Sequence, residues 1–93
     1  MIRKAVLATT GLTLLTACAL PPQSVNRQQI ADYEAAVASI GCELVSESDY
    51  LPVELQAGLT RQQALDITKY ELAAGTAEAL PGGGVRLTTG ACA

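Results

Sequence analysis

The chain predicts an α+β fold, three helices with a small antiparallel sheet, in one small domain spanning residues 26–93. Three observations carry that expectation. Asn26–Ile40 and Thr60–Ala74 each combine a capping residue with apolar side chains at helical spacing. Ala77–Leu80 and Val85–Thr89 flank a Pro81-Gly82-Gly83-Gly84 turn, the pattern of a β-hairpin. Cys42–Val45 offers a further short strand between the helices.

A leader precedes the domain. Met1–Ala17 has the three-part build of a secretory signal, with Arg3 and Lys4 followed by an apolar run. Ala5 to Ala17 is 13 residues, about 20 Å as a helix against roughly 30 Å of hydrocarbon. Thr9, Thr10, Gly11, Thr13 and Thr16 dilute the run. A cleaved signal is therefore expected rather than a permanent span. Leu15-Thr16-Ala17-Cys18 resembles the lipobox of bacterial lipoproteins: an aliphatic residue, two small ones, then cysteine. The resemblance implies cleavage before Cys18, a diacylglycerol thioether on its sulfur and usually an acylated amine, as with palmitate. Two or three chains anchor far more firmly than one, since each buried CH₂ contributes roughly 0.8 kcal/mol. In proteobacterial lipoproteins, aspartate after the cysteine favours the inner membrane. Ala19 in that place implies the periplasmic face of the outer membrane if the host is Gram-negative. An ordinary secretory signal cut near Ala17 or Ala19 is the alternative, and it leaves Cys18 incidental.

With Cys18 lipidated, Cys42 and Cys92 remain. Exported compartments oxidise thiols, so the pair is expected to form a disulfide. The domain needs one. Beyond the leader it has no Trp or Phe, only Tyr33, Tyr50 and Tyr70, and much of its apolar content is alanine. Chains of this size with so little core are marginal without a staple.

Residues 18–25 read as a tether, because Pro21-Pro22 favours an extended path. Asn26 is a good N-cap, and Ile30, Tyr33, Val37 and Ile40 lie on one face of a helix over Arg27–Ile40 that Gly41 ends. Pro52, placed in a first turn behind Ser48 or Asp49, points to a second helix over Tyr50–Ala57. Thr60 and Gln63 form a capping box for a third helix reaching Ala74. Ala64, Leu65, Thr68 and Leu72 mark its expected buried stripe, with Ile67 and Tyr70 beside it.

The order helix, strand, helix, helix, hairpin resembles a winged helix, most clearly from Gly58 to Thr88. That resemblance implies an antiparallel pairing of the first strand with the last, which brings Cys42 towards Cys92. Strand parity from Val85, Leu87 and Thr89 puts position 92 on the wrong face, so Gly90 must kink or bulge the chain. Winged helices often bind DNA through the third helix and the wing. Here that helix carries Asp66 and Glu71 beside Arg61 and Lys69, and the wing turn has only Arg86 nearby. The chain beyond the leader has four basic side chains, Arg27, Arg61, Lys69 and Arg86, against nine acidic ones, a net of −5. A groove-reading surface needs an excess of positive charge, so nucleic acid is not an expected partner, and the same acidic balance argues against anionic lipid headgroups as one.

Catalytic chemistry is equally thin. The chain has no His, which removes the usual hydrolase triads and most zinc ligand sets, and it has no Cys-x-x-Cys pair. No serine has lysine three residues on. Asp32 with Glu34, and Glu47 with Asp49, read as solvated carboxylates rather than an acid–base pair. Gly82-Gly83-Gly84 lacks the lysine and helix of a phosphate loop. The expectation is a non-enzymatic, cofactor-free and metal-free accessory protein of the cell envelope. It would be anchored by the lipid on Cys18 and contact an envelope protein through Arg61, Lys69, Tyr70 and Arg86. A small exported inhibitor or ligand-binding module is the first alternative. A cytoplasmic winged-helix DNA-binding protein is the second, should the leader be misread.

Overall fold

The computed structural model describes residues 19–93, so the expected signal and the lipidation site at Cys18 lie outside the described residues. The elements follow the order α1 (Arg27–Ser39), β1 (Glu43–Leu44), α2 (Glu47–Ala57), α3 (Arg61–Ala74), β2 (Ala77–Ala79) and β3 (Val85–Leu87), closed by a 3₁₀ turn over Gly90–Cys92. The fold is α+β. The three strands form one antiparallel sheet in the order β1-β3-β2, so the last strand lies between the other two. Among the described residues no helix is long and apolar enough to cross a membrane.

Local chemistry sets the helix ends. Asn26 Oδ1 accepts from Gln29 N–H at 2.8 Å, and Gln29 Oε1 accepts from Asn26 N–H at 2.9 Å. Thr60 and Gln63 repeat this reciprocal box at 3.1 and 2.9 Å. Each box satisfies N–H groups that a helix start otherwise leaves without partners. The second helix starts three residues before the expected Tyr50, because Ser46 is its N-cap. Asp49 Oδ2 accepts from the N–H groups of Val45 and Ser46 at 2.8 and 3.1 Å. These two bonds hold the Asp49 carboxyl below the usual carboxylate range. Pro52 consequently lies inside the helix rather than in its first turn.

The core is small and continuous. Tyr33 and Val37 of α1, Leu44 of β1, Val53 of α2, Ile67 of α3 and Leu87 of β3 are its large apolar members, all 1 % exposed or less. Each contributes roughly 1.5–3 kcal/mol by leaving water. On α3 the buried residues are Ala64, Ile67, Thr68 and Glu71. The expected stripe is thus rotated: Leu65 is only part-buried and Leu72 is 37 % exposed.

Cys42 and Cys92 form the disulfide, with Cα atoms 5.6 Å apart. Gly90 adopts φ +58° at the start of the 3₁₀ turn, which is the kink that strand parity required. The bond closes a 50-residue separation, which removes about 4 kcal/mol of unfolded-chain freedom on the loop-entropy account. Leu87 N–H donates to Cys42 O at 2.9 Å, extending the β1–β3 ladder to the cysteine.

Gly84 fixes where the hairpin meets β1. A Cβ there would lie 2.5 Å from Leu44 O and 2.8 Å from Val45 Cα, and its φ is +90°. Gly58 at the end of α2 also has positive φ, +66°, but faces open space. Gly84→Ala should therefore cost at least about 2 kcal/mol, lowering the melting midpoint by roughly 10 °C. Gly58→Ala carries only the dihedral strain, about 1 kcal/mol. Thermal denaturation of the two variants checks the order.

Candidate functional site

The four residues expected to form a partner surface do not behave alike. Arg61 begins α3 and is committed to the protein itself. Its Nε meets Glu54 and its Nη1 meets Glu47, while the guanidinium lies over the Tyr50 ring, 5.0 Å from the centroid. Those carboxylates raise its already high pKa. Arg86 pairs with Glu43 across β3 and β1 at 3.1 Å. Both arginines therefore tie α2 to α3 and β1 to β3. Lys69 makes no salt bridge among the described residues. It is exposed and lies beside half-buried Tyr70.

Lys69 and Tyr70 share an open groove of about 600 Å³ with Asp66 and Ala73 of α3 on one side. Ala19, Leu20, Pro22, Gln23 and Ser24 form the other side. The tether is thus laid along α3. Gln63 Nε2 donates to Ser24 O at 2.9 Å, Val25 N–H donates to Pro22 O at 3.4 Å, and Val25 packs on the core. Leu20, two residues after Cys18, remains 78 % exposed. Exposed apolar side chains also occur at Val45, Leu51 and Leu55, the last two on one face of α2.

A second feature is internal. Glu71 is 1 % exposed, and its Oε2 has no hydrogen-bond partner among the described residues. Its Oε1 accepts from the Thr76 hydroxyl. Burial pushes its pKa from 4.5 up to about 8, and the neighbouring Glu34 carboxyl of α1 adds to the rise, while the Thr76 bond opposes it. Glu34 in turn lies against Gly90, with Oε1 3.9 Å from where a Cβ would stand. One helical turn before Glu71, Thr68 donates to Ala64 O at 2.9 Å, which leaves the Tyr33 hydroxyl as donor to Thr68 Oγ1 at 2.6 Å. Burial raises the Tyr33 pKa, keeping the phenol neutral. These groups make a polar seam where α1, α3, the start of β2 and the 3₁₀ turn meet.

Glu34 reads from the sequence as a solvated carboxylate, and Glu71 lies outside the expected buried stripe of α3. The available signal was spacing: Ala64, Ile67, Thr68 and Glu71 fall at steps of 3, 1 and 3, a sound helical stripe. The seam is closed to solvent at Glu71 and holds an acid that keeps its proton at neutral pH. No protein-family model, curated protein or solved structure matches this chain.

The seam sets a pH dependence. Glu71 has a folded pKa near 8 against an ordinary 4.5, so the folded state holds its proton more tightly than the unfolded chain. Its contribution to stability is complete below pH 4.5, declines between 4.5 and about 8, and is lost above that. Asp49 acts oppositely, losing its contribution on acidification. Melting curves across that window should show wild-type stability falling with rising pH, by on the order of a few kcal/mol in total. Glu71→Gln keeps the shape without the charge and should flatten the profile.

Proposed function

We propose that the protein is a lipid-anchored accessory protein of the cell envelope, with a binding or structural role rather than a catalytic one. The observation that carries this reading is Leu15-Thr16-Ala17-Cys18, placed after Arg3, Lys4 and an apolar run. Cys18 supplies the lipid-bearing thiol, and signal cleavage makes it the first residue of the mature chain. Localisation follows as the periplasmic face, at the outer membrane in a Gram-negative host. The Cys42–Cys92 disulfide supports the export half of the reading, because such bonds persist in oxidising compartments.

The arginine pairing weighs against nucleic acid as a partner. Arg61 and Arg86 are engaged by Glu47, Glu54 and Glu43, so neither is free to neutralise a phosphate at no cost. A winged-helix-like order of elements does not carry the DNA-binding function with it.

Membrane fractionation with mass analysis of the N-terminal peptide tests the proposal. Wild-type protein should sediment with membranes and carry a diacylglyceryl group on Cys18, and Cys18→Ser should be released into the soluble fraction. Wild-type protein found soluble with an unmodified Cys18 removes the anchor. Crosslinking in intact cells then identifies partners retained by the wild type and lost by Cys18→Ser.

A further inference from the structure

We infer that the outward face of α3, with the tether laid along it, is the surface turned to the phospholipid headgroups of the leaflet that carries the anchor. The inference rests on the lipidation of Cys18 proposed above and adds a fixed orientation to it.

Reach is the first argument. Consecutive Cα atoms are about 3.8 Å apart. Ala19 follows Cys18 directly and already lines the groove against α3. A lipid on Cys18 therefore brings the Asp66–Ala73 face near the bilayer. The tether is not a free leash, because Gln63 holds Ser24 O and Val25 is packed on the core.

Chemistry is the second. Leu20, 78 % exposed next to the anchor, can enter the interface at no cost in polar desolvation. Tyr70 has the amphipathic ring that settles at headgroup level, and Lys69 has a long stem and a charge without a carboxylate partner among the described residues. Asp66 is the one acidic group lining the groove, and Gln62 Nε2 donates to it at 2.9 Å.

Charge distribution is the third. Glu78 on β2 is exposed and makes no salt bridge among the described residues, whereas Glu47 is already paired with Arg61. A negatively charged leaflet repels β2 and attracts Lys69. Headgroup phosphates and glycerol oxygens are the acceptors that suit Lys69 Nζ and the Tyr70 hydroxyl at the groove.

The test uses the lipidated protein, extracted from membranes and shown by mass analysis to carry the Cys18 lipid. It is reconstituted into vesicles of phosphatidylethanolamine with a minority of phosphatidylglycerol and a headgroup-nitroxide lipid. A maleimide fluorophore is placed singly at Lys69→Cys, Leu72→Cys or Glu78→Cys, with Cys42 and Cys92 protected as the disulfide. Quenching should be several-fold stronger at positions 69 and 72 than at 78, and in the Leu72→Cys protein it should fall when Lys69→Glu is added. Two reporters on α3 guard against one label displacing the tether. Equal quenching at all three positions, or stronger quenching at 78, overturns the orientation while leaving the anchor intact. Absence of lipid on Cys18 overturns the anchor itself and this inference with it.

Discussion

Glu43 and Leu44 pair with Arg86 and Val85 in a ladder of two residue pairs, and Cys42 is bonded to Cys92 just past its end. Two pairs of strand residues are too few to persist alone, since even complete isolated hairpins are marginal in water. The disulfide holds the chain end against the start of β1, so the ladder forms without repeating the cost of bringing distant segments together. Everything else depends on that closure. β3 can lie in the middle of the sheet only while β1 covers one of its edges, and Leu44 and Leu87 then enter the core from adjacent strands. The close approach of Gly84 to Leu44 and Val45 completes the contact from the hairpin side.

A domain with so little apolar surface assigns two of its four basic side chains to architecture. Arg61 draws α2 and α3 together through Glu47, Glu54 and Tyr50, and Arg86 reinforces the strand pairing through Glu43. Exposed ion pairs contribute little singly, so their weight lies in fixing how neighbouring elements meet. The buried Glu71 works against stability at neutral pH, because the seam offers it Thr76 and another carboxyl but no cation among the described residues. Lys69 and Tyr70 are left outside both roles, beside the tether. The chain therefore divides into a stapled interior, a charge-braced side and a tether-bearing side.

Much of this was legible from local chemistry. The Asn26 and Thr60 caps, the glycine stops and the Pro-Gly-Gly-Gly turn are short-range signals, and they placed α1, α3 and the hairpin. The disulfide followed from the cysteine count, the pairing of the first strand with the last was implied by the resemblance to a winged helix, and parity identified Gly90 as the kink. Helix α2 was read too short because Pro52 was assigned to a first turn, whereas Ser46 and Asp49 begin the helix earlier and leave the proline inside. On α3, Ala64 and Thr68 are buried as expected, whereas Leu65 and Leu72 are not, for a different reason. Leu65 and Leu72 are apolar and Glu71 is charged, so composition turned the expected stripe towards its flank. The packed neighbours Tyr33 and Glu34 of α1, which decide the true face, are distant in sequence. The same long-range dependence hid the commitment of Arg61 and Arg86, since Glu54 and Glu43 become their partners only after folding.

The central claim is a division of labour among the three cysteines: Cys18 for the lipid, Cys42 and Cys92 for the closure of the sheet. Peptide mass mapping of the protein isolated from its native envelope under non-reducing conditions tests it directly. The expected result is a linked Cys42–Cys92 peptide pair, with Cys18 in neither a disulfide nor a free thiol. Cys18 bonded to either other cysteine, or Cys42 and Cys92 recovered as free thiols, contradicts the account.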